Sequence, residues 1–297
     1  MSTLRKFASA GALLSLGATG MWLGIPRLTS PGSLSTFPGY SSTSFVQMAS
    51  GGAPQFPMDQ IPGTFRCPVN PIMAPASDSR HSFYFTRGAY SSDPFSWRRN
   101  SWATDFEKAD RQLLMVLERV LPIDAFSCEN PIRLDDPALR RFPFLYMVEV
   151  GYMRMTPPEV AGLRDYLLQG GFLLVDDFWG TREWANFENE MRKVLPEYPI
   201  VEIPMDHLVF RTVYPVREVL QVPSLGNARR GVYHEQDGIV PHMRGIFDED
   251  GRLIVAAAWN SDLGDAWEWA EQPDYPWDRS NYALQMAINF ILYAMTH

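Results

Sequence analysis

Four segments of the chain place apolar residues at the spacing of an amphipathic helix. They begin at Thr104, Thr156, Thr181 and about Asn281, and this periodicity predicts a helix at each position. The first two segments open with a threonine that has a glutamate three residues later, Glu107 and Glu159 respectively, which is the spacing of a capping box. Pro157 fits the first helical position of the second segment, and Gly170 or Gly171 is expected to end that helix in the left-handed conformation.

Short apolar runs between and after these helices predict strands. The runs cover residues 81–86, 143–150, 172–175, 200–204 and 217–222, and residues 243–259 form a hairpin pattern with Asp250 and Gly251 at its turn. Run 143–150 is almost continuously apolar, which is typical of a strand buried on both faces. Strands that alternate with helices indicate right-handed βαβ units. We therefore expect an α/β fold, a three-layer α/β/α sandwich with a mostly parallel sheet and an antiparallel hairpin edge.

Polar residues follow several of these strands, and the clearest case is the pair Asp176 and Asp177 directly after run 172–175. In an open α/β sheet, ligands bind outside the carboxyl ends of the strands. The other residues expected at this edge are Arg87, Glu149, Asn260 and Asp262. Several acids at one edge would raise one another's pKa, so the pattern predicts either an acid/base pair or a cation site.

Each of these residues also has a structural interpretation. Asp176 and Asp177 are close enough in sequence to cap the helix predicted from Thr181, and Asp105 lies where an acid interacts well with a helix dipole. Glu149 can be solvated or paired with an arginine. Asn260 and Asp262 lie before a short helix, where such residues often make local hydrogen bonds. The sequence leaves both interpretations open.

Histidines and tryptophans add two further hypotheses. His207 follows Asp206, and such a pair can orient a ring nitrogen for metal binding or proton transfer. However, the spacing of the histidines and the two cysteines matches no recognised metal motif, and no nucleophile elbow occurs, so neither a metal nor a cofactor is predicted. Tryptophans and acids alternate over residues 258–278, which suits a sugar or a cationic ligand. For Trp267 we instead expect a place in the core, under the last helix.

Composition divides the chain into three parts. Residues 1–25 carry Arg5 and Lys6 followed by 19 uncharged, mostly apolar residues, a pattern that predicts a signal peptide or a single N-terminal membrane anchor. Residues 26–80 contain 23 Pro, Gly or Ser residues among 55, which is typical of a linker. Residues 81–297 hold the predicted α/β domain. The net charge of −8 argues against a nucleic-acid partner.

Five sequence blocks also resemble a known family. They are TDFEKADRQLL, DDPALRRFPFLYMVEVGY, LRDYLLQGGFLLVDDFWGTREW, DLGDAWEWAEQPDYP and AINFILYAMTH, and from about residue 80 onward they resemble the bacterial family called domain of unknown function 4159. The resemblance implies an exported protein with a flavodoxin-like fold similar to that of class I glutamine amidotransferases. The catalytic Cys, His and Glu of those enzymes have no counterparts here, so their activity is not implied.

The resemblance also selects residues. The family pattern D-H-P-x-F-H corresponds here to DHLVFR, residues 206–211, which lacks the proline and the second histidine, so a role that needs both histidines is not expected. The matching positions are Asp105, Asp176, Asp177, Asp206, His207, Asp262 and Asp265. We expect them to gather at one edge of the sheet.

Two functions follow as hypotheses. The first is an exported, periplasmic or membrane-tethered binding module whose acidic cleft holds a small molecule, a carbohydrate or an envelope protein. The alternative is a hydrolase of carbohydrate or another envelope component, with paired carboxylates as acid and base; whether the chain is an enzyme is left open. Catalytic candidates are Asp176, Asp177 and His207, and ligand-binding candidates are Arg87, Asp105, Glu149, Asp206, Asn260, Asp262 and Asp265.

Overall fold

The computed structural model of the chain describes residues 81–92 and 100–297. The segments 1–25 and 26–80, and Cys67 with them, lie outside the described residues. Cys128 is buried and disulfide-bonded. Within the described part of the chain, every helix is too short or too polar to cross a bilayer.

Seven strands of the described residues form one mixed sheet. They are β1 (Thr86–Ala89), β2 (Asn130–Arg133), β3 (Phe144–Val148), β4 (Phe172–Phe178), β5 (Ile200–Glu202), β6 (His242–Phe247) and β7 (Leu253–Trp259). Their order is β2-β1-β3-β4-β7-β6-β5. The first five strands in that order run parallel, whereas β6 is antiparallel to β7 and β5 is antiparallel to β6. The prediction of an α/β fold with a mostly parallel sheet and an antiparallel hairpin at one side is confirmed.

Six α-helices accompany the sheet within residues 81–92 and 100–297. They are α1 (Lys108–Val120), α2 (Pro157–Leu168), α3 (Gly180–Val194), α4 (Leu225–Ala228), α5 (Leu263–Glu268) and α6 (Trp277–Thr296). The capping box predicted for α2 is confirmed, because Glu159 Oε2 accepts hydrogen bonds of 2.8 Å from both the backbone N–H and the hydroxyl of Thr156. Gly170 adopts a φ of +105° just after this helix, as its position predicts.

The capping box predicted at Thr104 and Glu107 is wrong. Helix α1 begins at Lys108, and Glu107 precedes it with a φ of +70° and no capping hydrogen bond from its side chain. Asp105 and Glu107 both adopt a positive φ, of +59° and +70°, which an α-helix does not allow. Arg87 Nη1 also donates to the carbonyl oxygens of Trp102 and Thr104 at 3.2 and 2.7 Å. These hydrogen bonds support the turn that precedes α1.

Three strand predictions also need correction. The first strand lies at Thr86–Ala89 rather than 81–86, and residues 217–222 form no strand, because β5 already occupies that edge of the sheet. Strand β2 contains Pro131 and was not predicted; proline is tolerated there because β2 is an edge strand. Strand β4 extends three residues beyond the predicted 172–175 and includes both Asp176 and Asp177.

The core consists of two hydrophobic clusters whose strand residues alternate. Along β3, Phe144 and Tyr146 belong to a cluster with residues of α1 and α6, whereas Leu145 and Met147 belong to a cluster with residues of α2 and α3. Trp267 is fully buried in the first cluster, which confirms its predicted place in the core. Strand β3 is therefore buried on both sides, as its apolar run predicts.

Candidate functional site

The carboxyl ends of three neighbouring parallel strands carry residues with unusual backbone conformations. Glu149 follows β3 with a φ of +56°, Asp177 lies near the end of β4 with +49°, and Asn260 follows β7 with +63°. Residues other than glycine rarely adopt this left-handed region, and such strained positions are enriched at functional sites. These three residues lie at the edge of the sheet where the sequence predicts a ligand site.

Asp176 is fully buried and holds the start of α5. Its Oδ1 accepts from Leu263 N at 3.0 Å, and its Oδ2 accepts from Gly264 N at 2.8 Å and from the hydroxyl of Tyr146 at 3.0 Å. Burial raises the pKa of Asp176 to about 6, and these hydrogen bonds limit the rise. Asp176 therefore acts on α5 rather than on α3, the helix whose capping was one of the two interpretations of its sequence position.

Asp177 lies beside Asp176 but points into a different environment. Its Oδ1 accepts from the indole N–H of Trp179 at 2.9 Å, and the residue is 9% exposed. Burial raises the pKa of Asp177 well above its usual range, and the charges of Glu149 and Asp105 raise it further.

Asp262 and Asp265 flank the first turn of α5. Asp262 Oδ1 accepts from Asp265 N at 2.8 Å and so forms the N-cap of the helix. Asp265 Oδ2 accepts from Leu225 N at 2.6 Å, and its Oδ1 accepts from the indole N–H of Trp269 at 3.1 Å. Burial is the main cause that raises the pKa of both carboxyls. These hydrogen bonds hold both side chains in fixed positions.

Asp105 completes the group from the turn before α1. Its Oδ2 is buried and has no hydrogen-bond partner in the described part of the chain. A Cβ placed on Gly264 would lie 2.9 Å from this Oδ2 and 3.7 Å from Asp262 Oδ1, so the absence of a side chain at Gly264 is what lets Asp105 approach the start of α5 this closely. Burial raises the pKa of Asp105 well above its usual range, Asp265 raises it further, and Arg87 opposes the rise.

Asp105, Asp176, Asp177, Asp262 and Asp265 form what we call the acidic cluster. One carboxylate oxygen each from Asp105, Asp262 and Asp265 lies within 4.8 Å of the others. Among the described residues, no ion pair involves any member of the acidic cluster. The nearest cations are engaged elsewhere, since Arg87 binds Asp110 and Lys108 binds Glu271 at 3.2 Å. The cluster thus combines several carboxylates with little positive charge.

Arg87, Glu149 and Asn260 lie near this edge in other roles. Arg87 is inside β1 rather than after it, is fully buried, and contacts Asp110 through Nε and Nη2. Asn260 Oδ1 accepts from Gly180 N at 2.8 Å, and its Nδ2 donates to Val240 O at 2.7 Å, so its side chain fixes the start of α3. Glu149 is buried and contributes the negative charge that raises the pKa of Asp177.

Asp206 and His207 do not join the acidic cluster. The ring of His207 contacts Phe247 and Tyr293, with centroid distances of 5.5 and 5.7 Å. Phe247 pairs with Leu253 at the start of β7, so His207 lies at the amino end of the parallel strands, opposite the carboxyl end that carries Asp176. Its Nδ1 accepts from Val209 N at 3.2 Å, and the expectation that all seven matching residues share one edge is wrong for this pair.

Sequence reasoning missed three residues of this site. Tyr146 donates to Asp176, Gly264 allows the close approach of Asp105 to α5, and Glu268 lies near Asp265 with a pKa that burial raises to about 7. Tyr146 gave one signal: a hydroxyl within an apolar buried strand needs a hydrogen-bond partner. Gly264 gave none, because a glycine near a helix start has many possible causes.

Comparison with known protein families gives one match. The family described as "Domain of unknown function (DUF4159)" matches residues 90–295, a range that includes every member of the acidic cluster. Comparison with the curated proteins finds no relative of this chain.

Proposed function

The chain belongs to the DUF4159 family, and we propose that it is an exported or membrane-tethered binding module that holds a positively charged or hydroxyl-rich ligand at the acidic cluster. The observation that carries this proposal is the shortage of compensating charge. Buried carboxylates without a cationic partner are costly. A ligand that brings positive charge or hydroxyl donors would lower that cost.

The positions of the carboxylates favour binding over turnover. Asp176 is fully buried and accepts three hydrogen bonds, so it is poorly placed to take a proton from a water at a substrate. Asp262 and Asp265 are likewise held by backbone amides. A rigid set of oxygens suits recognition, because the ligand then orders few side chains on binding.

One observation supports a hydrolase as the second candidate. The pKa of Asp177 is raised well above that of a free carboxyl, whereas that of Asp176 is about 6. Two neighbouring carboxyls that both hold a proton more tightly than a free carboxyl resemble an acid/base pair. In this alternative Asp177 would be the general acid. It predicts release of reducing ends from cell-wall polysaccharide, and Asp177→Asn would abolish that release.

We also propose the location of the protein and the layer arrangement of its fold. Arg5 and Lys6 before the apolar run 7–25 support export. A disulfide at Cys128 suits an oxidising compartment. The two hydrophobic clusters, which draw on α1 and α6 and on α2 and α3 respectively, support a three-layer, amidotransferase-like sandwich. The negative net charge supports the exclusion of nucleic acid as a partner.

A thermal-shift screen tests the binding function. The full chain, treated with chelator, is heated with polyamines, saccharides and cell-wall fragments, because a ligand of the native state raises the melting temperature. We expect at least one compound to raise it by several degrees, and Asp177→Asn to remove the effect. Asp206→Asn, an acid at the opposite end of the sheet, is the matched control and should keep it. If no compound shifts the melting temperature, or if Asp177→Asn leaves the shift unchanged, organic ligand binding at this site is refuted.

A further inference from the structure

We propose that the acidic cluster contains a site for one divalent cation, preferentially Ca²⁺, with Asp105, Asp262 and Asp265 as its protein ligands. This inference rests on the proposed binding function and names a ligand for part of the same site. The three residues come from two separate parts of the chain, the turn before α1 and the start of α5.

The separations of the carboxylate oxygens fit a calcium ion. One oxygen from each of the three residues lies within 4.8 Å of the other two. Calcium binds oxygen at 2.3–2.6 Å, so two oxygens on the same ion lie at most about 5 Å apart. Magnesium binds at 2.0–2.1 Å and spans at most about 4.2 Å. With this upper limit, calcium can bridge any pair in this group without rearrangement, whereas magnesium can do so only for oxygens within about 4.2 Å of each other. The all-oxygen set suits a hard cation.

The unpaired oxygen of Asp105 is an independent indication. Its Oδ2 is buried without a hydrogen-bond partner among the described residues. A buried polar atom of this kind normally has a partner, and an ion is one such partner. The atom lies at the start of α5 on the same side as Asp262 Oδ1: the two oxygens are 2.9 and 3.7 Å from the position that a Cβ on Gly264 would occupy.

The two ligands on α5 are held in place before an ion arrives. Asp262 Oδ1 accepts from Asp265 N, and Asp265 accepts from Leu225 N and the indole of Trp269. Hydrogen bonds of this kind orient metal ligands and reduce the ordering cost of binding. Asp176 contributes indirectly, because it fixes the backbone of Leu263 and Gly264 between the two ligands.

Nearby positive charges do not already fill this role. Arg87 contacts Asp110 on one side and backbone carbonyls on the other. Lys108 Nζ forms an ion pair with Glu271 and lies over the ring of Trp269, 3.4 Å from the ring centroid. The remaining competitor is the proton, since protonated carboxyls would also relieve the repulsion. A titration of calcium at constant pH separates the two cases. If protons alone relieve the repulsion, added calcium gives no saturable binding heat, and if calcium binds, it does.

Calorimetric titration of Ca²⁺ into the chelator-treated full chain at pH 7.5 tests the proposal. We expect one ion per chain, with a Kd between about 1 µM and 1 mM, the range of sensor and extracellular calcium sites. Magnesium should bind at least tenfold more weakly. Asp105→Asn should weaken calcium binding at least tenfold, and Asp206→Asn should change it less than twofold. Circular dichroism of each variant confirms that it is folded.

Two results would overturn the inference. The first is that the titration shows no saturable heat up to 10 mM Ca²⁺, roughly tenfold above the Kd of the weakest calcium sites. The second is that a folded Asp105→Asn variant binds calcium as tightly as the wild type. If Asp105→Asn does not fold, Asp105→Glu replaces it, because it keeps the charge but moves the carboxylate and should still weaken binding. A failure to bind calcium does not by itself refute the proposed binding function. That function is tested separately by the rise in melting temperature with a polyamine or a saccharide, which depends on Asp177.

Discussion

Aspartates of the acidic cluster have two different environments, although their sequence context suggests one role. Asp176 accepts three hydrogen bonds and is satisfied within the protein. Asp105 has a buried oxygen with no partner among the described residues and adopts a φ of +59°. A satisfied buried carboxylate stabilises the fold, whereas an unsatisfied one costs stability and needs another reason to be present.

The first residue-scale prediction concerns Asp176→Asn. An asparagine amide has one acceptor oxygen and a donor NH₂ group, so it cannot accept from Leu263, Gly264 and Tyr146 together. We expect a loss of roughly 1–3 kcal/mol in the free energy of unfolding, the cost of a buried unsatisfied donor, measured by urea denaturation. Asp206→Asn is the control and should change stability by less than about 0.5 kcal/mol, as surface substitutions do. A fully stable Asp176→Asn would show that the three hydrogen bonds do not matter.

Helix α5 is the element on which the site depends. It has only six residues, too few to be stable by themselves, and its first turn is fixed by Asp176 and by the Asp262 cap. Gly264 at its second position lies against Tyr146 and Asp105. The helix therefore couples β3 and β4 to the turn before α1.

Gly264→Ala tests this coupling at the scale of the element. The added Cβ would lie 2.8 Å from the hydroxyl of Tyr146 and 2.9 Å from Asp105 Oδ2, distances at which one of these atoms must move. We expect a loss of about 1–3 kcal/mol in the free energy of unfolding from overpacking, and calcium affinity at least tenfold lower although every carboxylate remains. Gly226→Ala, where the nearest atom is 3.9 Å away, is the control. Unchanged calcium affinity in a folded Gly264→Ala would place the ion elsewhere.

Sequence patterns predicted the larger elements well and the site only in part. Helix α2 and strand β3 were found because a capping box and a continuous apolar run are local signals. Strand β2 and the late start of α1 were missed because they depend on contacts distant in sequence: β2 pairs with β1, and Arg87 holds the turn at Thr104. Asp206 and His207 were misplaced for the same reason, since a family pattern does not say which end of the sheet its residues occupy.

At the scale of the whole molecule, the acidic cluster should dominate how stability depends on pH. The pKa of Asp176 is raised from 3.8 to about 6, and the pKa values of Asp105, Asp177 and Asp262 are also raised well above 3.8, with burial as the main cause in each. A raised pKa in the folded state means that stability is fully present below the unfolded value and is lost as pH rises through the folded value. For Asp176 that loss falls between about pH 4 and 6 and is on the order of 3 kcal/mol.

Other groups act in the opposite direction but can be separated from this effect. The pKa values of Asp135, Glu197, Asp237 and Asp274 are lowered by hydrogen bonds to Arg133, Arg164, Thr181 and Arg229 respectively. Their contributions are present above the unfolded pKa and are lost only as pH falls below about 4. Burial lowers the pKa of His207, so its contribution is present above about pH 6.5 and is lost as pH falls. These groups contribute equally to the wild type and to Asp105→Asn.

The most direct measurement is therefore the free energy of unfolding of the full chain from pH 4.5 to 8, in chelator and in 5 mM Ca²⁺ (about fivefold above the weakest expected Kd), for the wild type and Asp105→Asn. Without calcium, we expect the wild type to lose stability as pH rises and Asp105→Asn to lose less of it. Calcium should restore stability at pH 8 in the wild type only. If the stability of the wild type in chelator rises across this range and calcium has no effect, the carboxylates are compensated within the protein, and the acidic cluster is not a ligand site.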